Sequence, residues 1–205
     1  MKRLLLAANL LSLLSPVVGC VHTTESGVSV TPAPEEDDQY ADALDHATRS
    51  KSVFKDFEAR FTIAATYLSP EFRTAFQKRL ERVYKLGQVA FNKASGKAGF
   101  FVALNSPNRV ALDLTDPQHW TILLQTPEGP IKPVLVEALH DKERWRAFFP
   151  RAITDWTTDY LVVFDAPSVN PNSPELVAKT MVELTFANAD AQVLLNWSTT
   201  VDPDM

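Results

Sequence analysis

The chain has one cysteine, Cys20, and therefore no pair from which to build an internal disulfide. A folded domain in this sequence has to be held by packing alone. Glycine is nearly as scarce, at six residues, and none stands in a G-x-S-x-G nucleophile elbow. Gly96-Lys97-Ala98-Gly99 has neither the length nor the Lys-Ser/Thr ending of a phosphate loop and reads as a turn. The four histidines, His22, His46, His119 and His140, include no pair at helical zinc-motif spacing. No cofactor is implied, and no catalytic residue or metal ligand set is assigned. Basic charge is not in excess: 20 Lys and Arg face 25 Asp and Glu, for a net charge of -5. That balance excludes a nucleic-acid partner, which needs clustered cations. The densest cluster, Lys78-Arg79 with Arg82 and Lys85, is interleaved with Glu81 and reads as a solvated helix face, with anionic headgroups or an acidic partner as the alternative. Nor is there an apolar run of the roughly 20 residues a spanning helix requires.

What the first residues do contain is a basic start, Lys2-Arg3, and a leucine-rich core from Leu4 to Leu14, followed by Ser15 and Pro16. This is the layout of a secretory signal. It closes on Val17-Val18-Gly19-Cys20, which resembles the lipobox of bacterial lipoproteins. The resemblance covers the first tenth of the chain and implies cleavage before Cys20, lipid on its sulfur and acylation of the new amino terminus. Several acyl chains hold a protein stably on a membrane where one binds reversibly, and lipidation removes a thiol otherwise prone to intermolecular pairing. With Val21, not aspartate, after the cysteine, the expected address is the outer membrane, periplasmic face. The expected partners are the membrane itself, through Cys20, and another protein of the cell envelope.

Residues 20–38 are rich in Thr, Ser, Pro and acidic side chains and read as a linker of roughly 20 to 25 Å average reach. Residues 39–205 are long enough for one domain with a substantial core. A short helix is expected between Tyr40 and Ser52. Phe57, Ala59, Phe61, Ile63, Ala65 and Tyr67 then alternate with more polar residues, the period of a strand. Ser69-Pro70-Glu71 signals a helix start, and Phe72, Phe76, Leu80 and Val83 give that helix, residues 70–86, an inner stripe ended by Gly87. Further strands are predicted at Gly99 to Leu104, Trp120 to Thr126, Ile131 to Leu139 and Tyr160 to Asp165. A hairpin of Ala178 to Phe186 with Val193 to Trp197 follows, and a helical turn at Asp141 to Phe148. About seven strands plus one helix predict a mainly β, immunoglobulin-like sandwich.

The function expected of this layout is a tethered, non-catalytic binding or scaffolding domain. Trp145, Arg146, Arg151 and Trp156 are the candidate contact residues, since Trp and Arg are enriched at binding hot spots; the plainer reading of the same aromatics is that they plug the sandwich core and its ends. Two alternatives stand beside this. One is an envelope hydrolase or metal-dependent enzyme using His119 or His140 with nearby carboxylates, Asp113 and Asp116 or Asp155 and Asp159 being possible acid/base pairs. The other is a lipid carrier, with Phe72, Phe76 and Leu80 roofing an apolar cavity.

Overall fold

The computed structural model describes residues 34–84, 91–106, 113–168 and 182–197; Cys20, His22, Gly87, Ala178 and Thr180 lie outside them. The chain is mainly β. In order come α1 (Pro34–Ala47), β1 (Thr48–Lys55), β2 (Glu58–Tyr67), α2 (Pro70–Tyr84), a single 3-10 turn at Asn92–Ala94 and β3 (Lys97–Asn105). Then follow β4 (Thr121–Thr126), β5 (Gly129–Ile131), β6 (Leu135–Leu139), α3 (Lys142–Arg146), β7 (Thr157–Pro167), β8 (Val182–Ala187) and β9 (Gln192–Trp197). The strands form two antiparallel sheets ordered β1-β2-β3-β7-β6 and β5-β4-β8-β9. With β1 set aside, this is the A-B-E-D and C′-C-F-G order of an immunoglobulin-type sandwich.

The described residues form nine strands where about seven were expected, for two local reasons. Ile131 to Leu139 is not one strand: Ile131 pairs with β4 in the smaller sheet, whereas Leu135 pairs with β7 in the larger one. Pro133 stands between them, where its missing N–H cannot join a ladder. The second addition is β1. The helix expected to reach Ser52 stops at Ala47, and Thr48–Lys55 pairs with β2, its hydroxyls meeting those of the neighbour: Thr48 with Thr66 and Ser52 with Thr62, both at 2.8 Å. The helix instead begins earlier than expected, so the last five residues of the segment read as linker are helical.

The packing explains why some strands alternate and others do not. On β8 and β9, Val182, Leu184, Phe186, Val193, Leu195 and Trp197 point inward and the intervening residues outward. On β3, Ala98, Phe100, Val102 and Leu104 face the smaller sheet, while Phe101 and Ala103 face the helices. Tyr160, Val162 and Phe164 of β7 likewise join the inter-sheet core, and Leu161 and Val163 the helical side. Strands buried on both faces carry unbroken apolar runs, which is what Gly99 to Leu104 and Tyr160 to Phe164 are. The architecture is thus three layers: four-stranded sheet, five-stranded sheet, helices.

Ser69 caps α2 through its hydroxyl, which accepts the N–H of Phe72 at 3.1 Å. The helix lays Phe72, Phe76 and Leu80 on the outer face of the larger sheet. Behind them, β3 comes so close to the 3-10 turn that a Cβ on Gly99 would stand 2.6 Å from the Cβ of Ala94. Gly99→Ala is therefore expected to cost about 1–3 kcal/mol, the usual range for overpacking. Chemical denaturation checks this; a loss below about 0.5 kcal/mol would show that the turn yields freely.

Candidate functional site

The four predicted contact residues do not form one patch. Trp145 is 92 % buried, with 8 % of its surface exposed, so it is a core residue and not a binding platform. Its ring stacks on Phe91 at 5.0 Å, and Arg144 lies over it at 5.3 Å. The cause is local: α3 is one turn and a half long, and its only large apolar side chain faces the sheet. Arg151 points to α1, where its guanidinium meets the Asp45 carboxylate at 2.9 and 3.1 Å. Trp156 lines a cleft of about 310 Å³ at the start of β7, and Arg146 is joined to it only through Asp155. Lys142, Asp155, Trp156 and Thr158 line it. Arg146 donates to Asp155 at 2.6 Å, and Trp156 keeps 56 % of its surface exposed.

One residue beside this cleft has an unusual environment. Asp159 of β7 lies opposite Ala103 and Leu139 and so faces the helical layer. It is 0 % exposed, and both carboxyl oxygens are buried without a hydrogen-bond donor. Burial pushes its pKa up to about 6; Lys142 and Arg146 on α3 pull the other way and only partly offset it. Asp155, proposed as its acid/base companion, is instead exposed and paired with Arg146, so the two carboxylates occupy different environments.

The other candidate groups have structural partners. Asp113 and Asp116 each cap a turn, accepting the N–H groups of Thr115 and Gln118 at 2.9 and 2.8 Å. The Thr115 bonds hold Asp113 below the usual carboxylate range, and the His119 ring at 2.7 Å does the same for Asp116. His140 is exposed after β6, and Asp141 caps α3 by accepting the N–H of Arg144. Among the described residues no group of three or more His, Cys, Asp or Glu is arranged to hold a metal. Phe76 meets Phe148 at 4.7 Å and Phe101 stacks on Phe149 at 3.9 Å, so rings fill the space directly between α2 and the sheet, while Phe72 and Phe76, with Leu68 and Phe91, also line a cavity of about 620 Å³ at the edge of that layer.

The surface feature that sequence reading missed is the β1–β2 hairpin. Phe57, read as the first inward residue of a strand, is in the turn and fully exposed, and Phe54 keeps 67 % of its surface. Asp56 and Phe57 both have positive φ, 53° and 66°, the conformation that a two-residue hairpin turn usually fills with Asn-Gly. Phenylalanine in glycine's place is what concealed the turn; the three-residue spacing of Phe54 and Phe57, out of step with a strand, was the available signal.

Compared with known proteins, the chain matches no family model, no curated protein and no solved structure. The fold of the described residues is an immunoglobulin-type sandwich of nine strands with a helical layer.

Proposed function

We propose that this protein is a lipid-anchored domain of the bacterial cell envelope, held through Cys20 at the periplasmic face of the outer membrane, that binds another envelope protein. The observation carrying this reading is the Val17-Val18-Gly19-Cys20 sequence placed 14 residues ahead of the first helix of the domain. The geometry favours a docking surface: the cleft at Trp156 is shallow, it presents an indole beside the Arg146–Asp155 pair, and Lys142 lines its wall. Exposed aromatics flanked by paired charges suit the polar-rimmed contacts of protein interfaces. No helix among the described residues is long and apolar enough to cross a membrane.

Fractionation tests the anchor. The wild-type chain is expected in the membrane pellet and Cys20→Ala in the soluble fraction; equal solubility of the two overturns the attachment. Crosslinking in the native cell tests the binding role. A discrete adduct that Trp156→Ala and Arg146→Ala each weaken several-fold is expected, and an adduct unchanged by both removes the cleft from the interface. Trp156→Ala is a surface change and should alter stability by less than about 0.5 kcal/mol, so an adduct lost in that variant is not a folding effect; Arg146→Ala, which removes a cation acting on the buried Asp159, is read beside its own denaturation curve.

A further inference from the structure

Four strands end the two sheets, β1 and β6 in the larger and β5 and β9 in the smaller. An end strand presents a row of unpaired backbone N–H and C=O groups, a template for pairing with another chain. Proteins ordinarily guard it with charge, proline, brevity or a covering element. Three of the four are guarded. β5 is three residues long and contains Pro130. β1 and β9 lie against each other: Arg49 donates to the carbonyl of Asn196 at 3.1 Å, and Lys55 pairs with Asp190 just ahead of β9. β6, Leu135-Val136-Glu137-Ala138-Leu139, contains neither proline nor lysine and runs beside β7 without a register shift. Among the described residues no backbone group outside β7 bonds to it.

Its composition is that of an inner strand. Leu135 and Leu139 pack toward the helical layer, and Val136 and Ala138 toward the inter-sheet core, so both faces are apolar as on β3 and β7. Unlike those strands, β6 is only half-buried along its whole length. Val134, just ahead of it, keeps 59 % of its surface exposed. The one charge is Glu137, and the ammonium of Lys93 from the 3-10 turn meets its carboxylate at 2.7 Å.

We infer that β6 pairs antiparallel with the β6 of a second copy of this chain, joining two five-stranded sheets into one of ten strands. A second copy fits because the strand matches itself. A two-fold axis through Glu137, perpendicular to the sheet, sets Leu135 opposite Leu139, Val136 opposite Ala138 and Glu137 opposite its own equivalent. Odd positions meet odd positions, so helical layer adjoins helical layer and inter-sheet core adjoins inter-sheet core. Two bare glutamates directly opposed would repel. Here each brings its own Lys93, and the four charges sum to zero. An edge about 16 Å long, with the layers on either side, covers roughly 400 Å² per copy, half of a standard interface. The pair therefore forms reversibly at micromolar and higher concentrations. It needs neither the Cys20 anchor nor the cleft at Trp156.

The chain from Val21 onward, which contains every described element and no lipid, is expected to sediment as a monomer–dimer mixture whose dimer fraction rises with concentration. Amide hydrogen exchange across residues 135–139 should slow as the dimer forms. Glu137→Lys and Lys93→Glu change side chains at the surface, and each gathers four like charges at the axis. Each should raise the dissociation constant at least tenfold. Mixed in equal amounts, the two variants bring the lysines of one copy to the glutamates of the other, and dimer should return to near the wild-type level. A folding defect would not be repaired by mixing. A parent chain that stays monomeric up to near-millimolar concentration overturns the inference. So does a dimer in which exchange at β6 is unchanged, or a pair of variants that mixing does not rescue.

Discussion

Phe149→Ala should be the most damaging single truncation in the helical layer, lowering stability by about 3–5 kcal/mol. Phe149 is almost wholly buried and lies face to face with Phe101 of β3, at 3.9 Å between centroids and 5° between planes. It also meets Phe72 and Phe76 of α2 at 6.2 and 6.0 Å. The ring is thus the piece through which α2, the segment after α3 and the larger sheet touch one another. Its backbone is fixed independently: the N–H of Phe149 donates to Trp145 at 2.8 Å and its carbonyl accepts from Ile153 at 3.2 Å. The site therefore has little freedom to collapse into the space left behind, which places the cost in the upper part of the range. For a domain of this size the midpoint of thermal unfolding should fall by about 10 °C. Urea denaturation with an unchanged slope checks this; a loss below about 1 kcal/mol would mean that the helical layer contributes little to the fold.

That layer is also where sequence reading and structure part company. The helix from Pro70, its serine cap and its stripe of Phe72, Phe76 and Leu80 are local properties, carried by residues within a few positions of one another, and they are as read. So are the one-sided strands β8 and β9 and the turn between them, where the Asn188 side chain accepts the N–H groups of Asp190 and Ala191 at 2.9 and 2.8 Å. The sandwich class followed from strand count alone; the strand order now supports it independently. The destination of each aromatic was not legible. Trp145, Phe148 and Phe149 follow one another in a short segment rich in arginine, and nothing local says which ring enters a core and which meets solvent. Trp197 shows the same limit: its indole N–H donates to the carbonyl of Ala47 at 2.6 Å, tying the last described strand to the junction of α1 and β1 across 150 positions. The β1–β2 turn escaped for the opposite reason, since Phe57 has the composition of a strand and the backbone of a glycine.

Asp159 should make the protein more stable in mild acid than at neutral pH, and Asp159→Asn should abolish the difference. The native pKa of about 6 stands above the ordinary carboxylate value of 3.8, so between those two pH values the folded chain binds the proton that the unfolded chain has released. Stability must then fall as the pH rises from about 4 to about 6 and level off above that. The gap between the two pKa values corresponds to about 3 kcal/mol. The cause is the missing donor: β7 places the carboxylate between Ala103 and Leu139, and the cations of Lys142 and Arg146 act on it without a hydrogen bond. Asparagine keeps the shape and removes the charge. It should therefore match the wild type near pH 4 and exceed it by up to about 3 kcal/mol at pH 8, as read by urea denaturation at the two pH values. A variant destabilised equally at both would show that Asp159 is held by a donor in solution. A buried carboxylate retained at such a cost, beside the cleft that carries Trp156, is the kind of local conflict that sites of function impose on a fold.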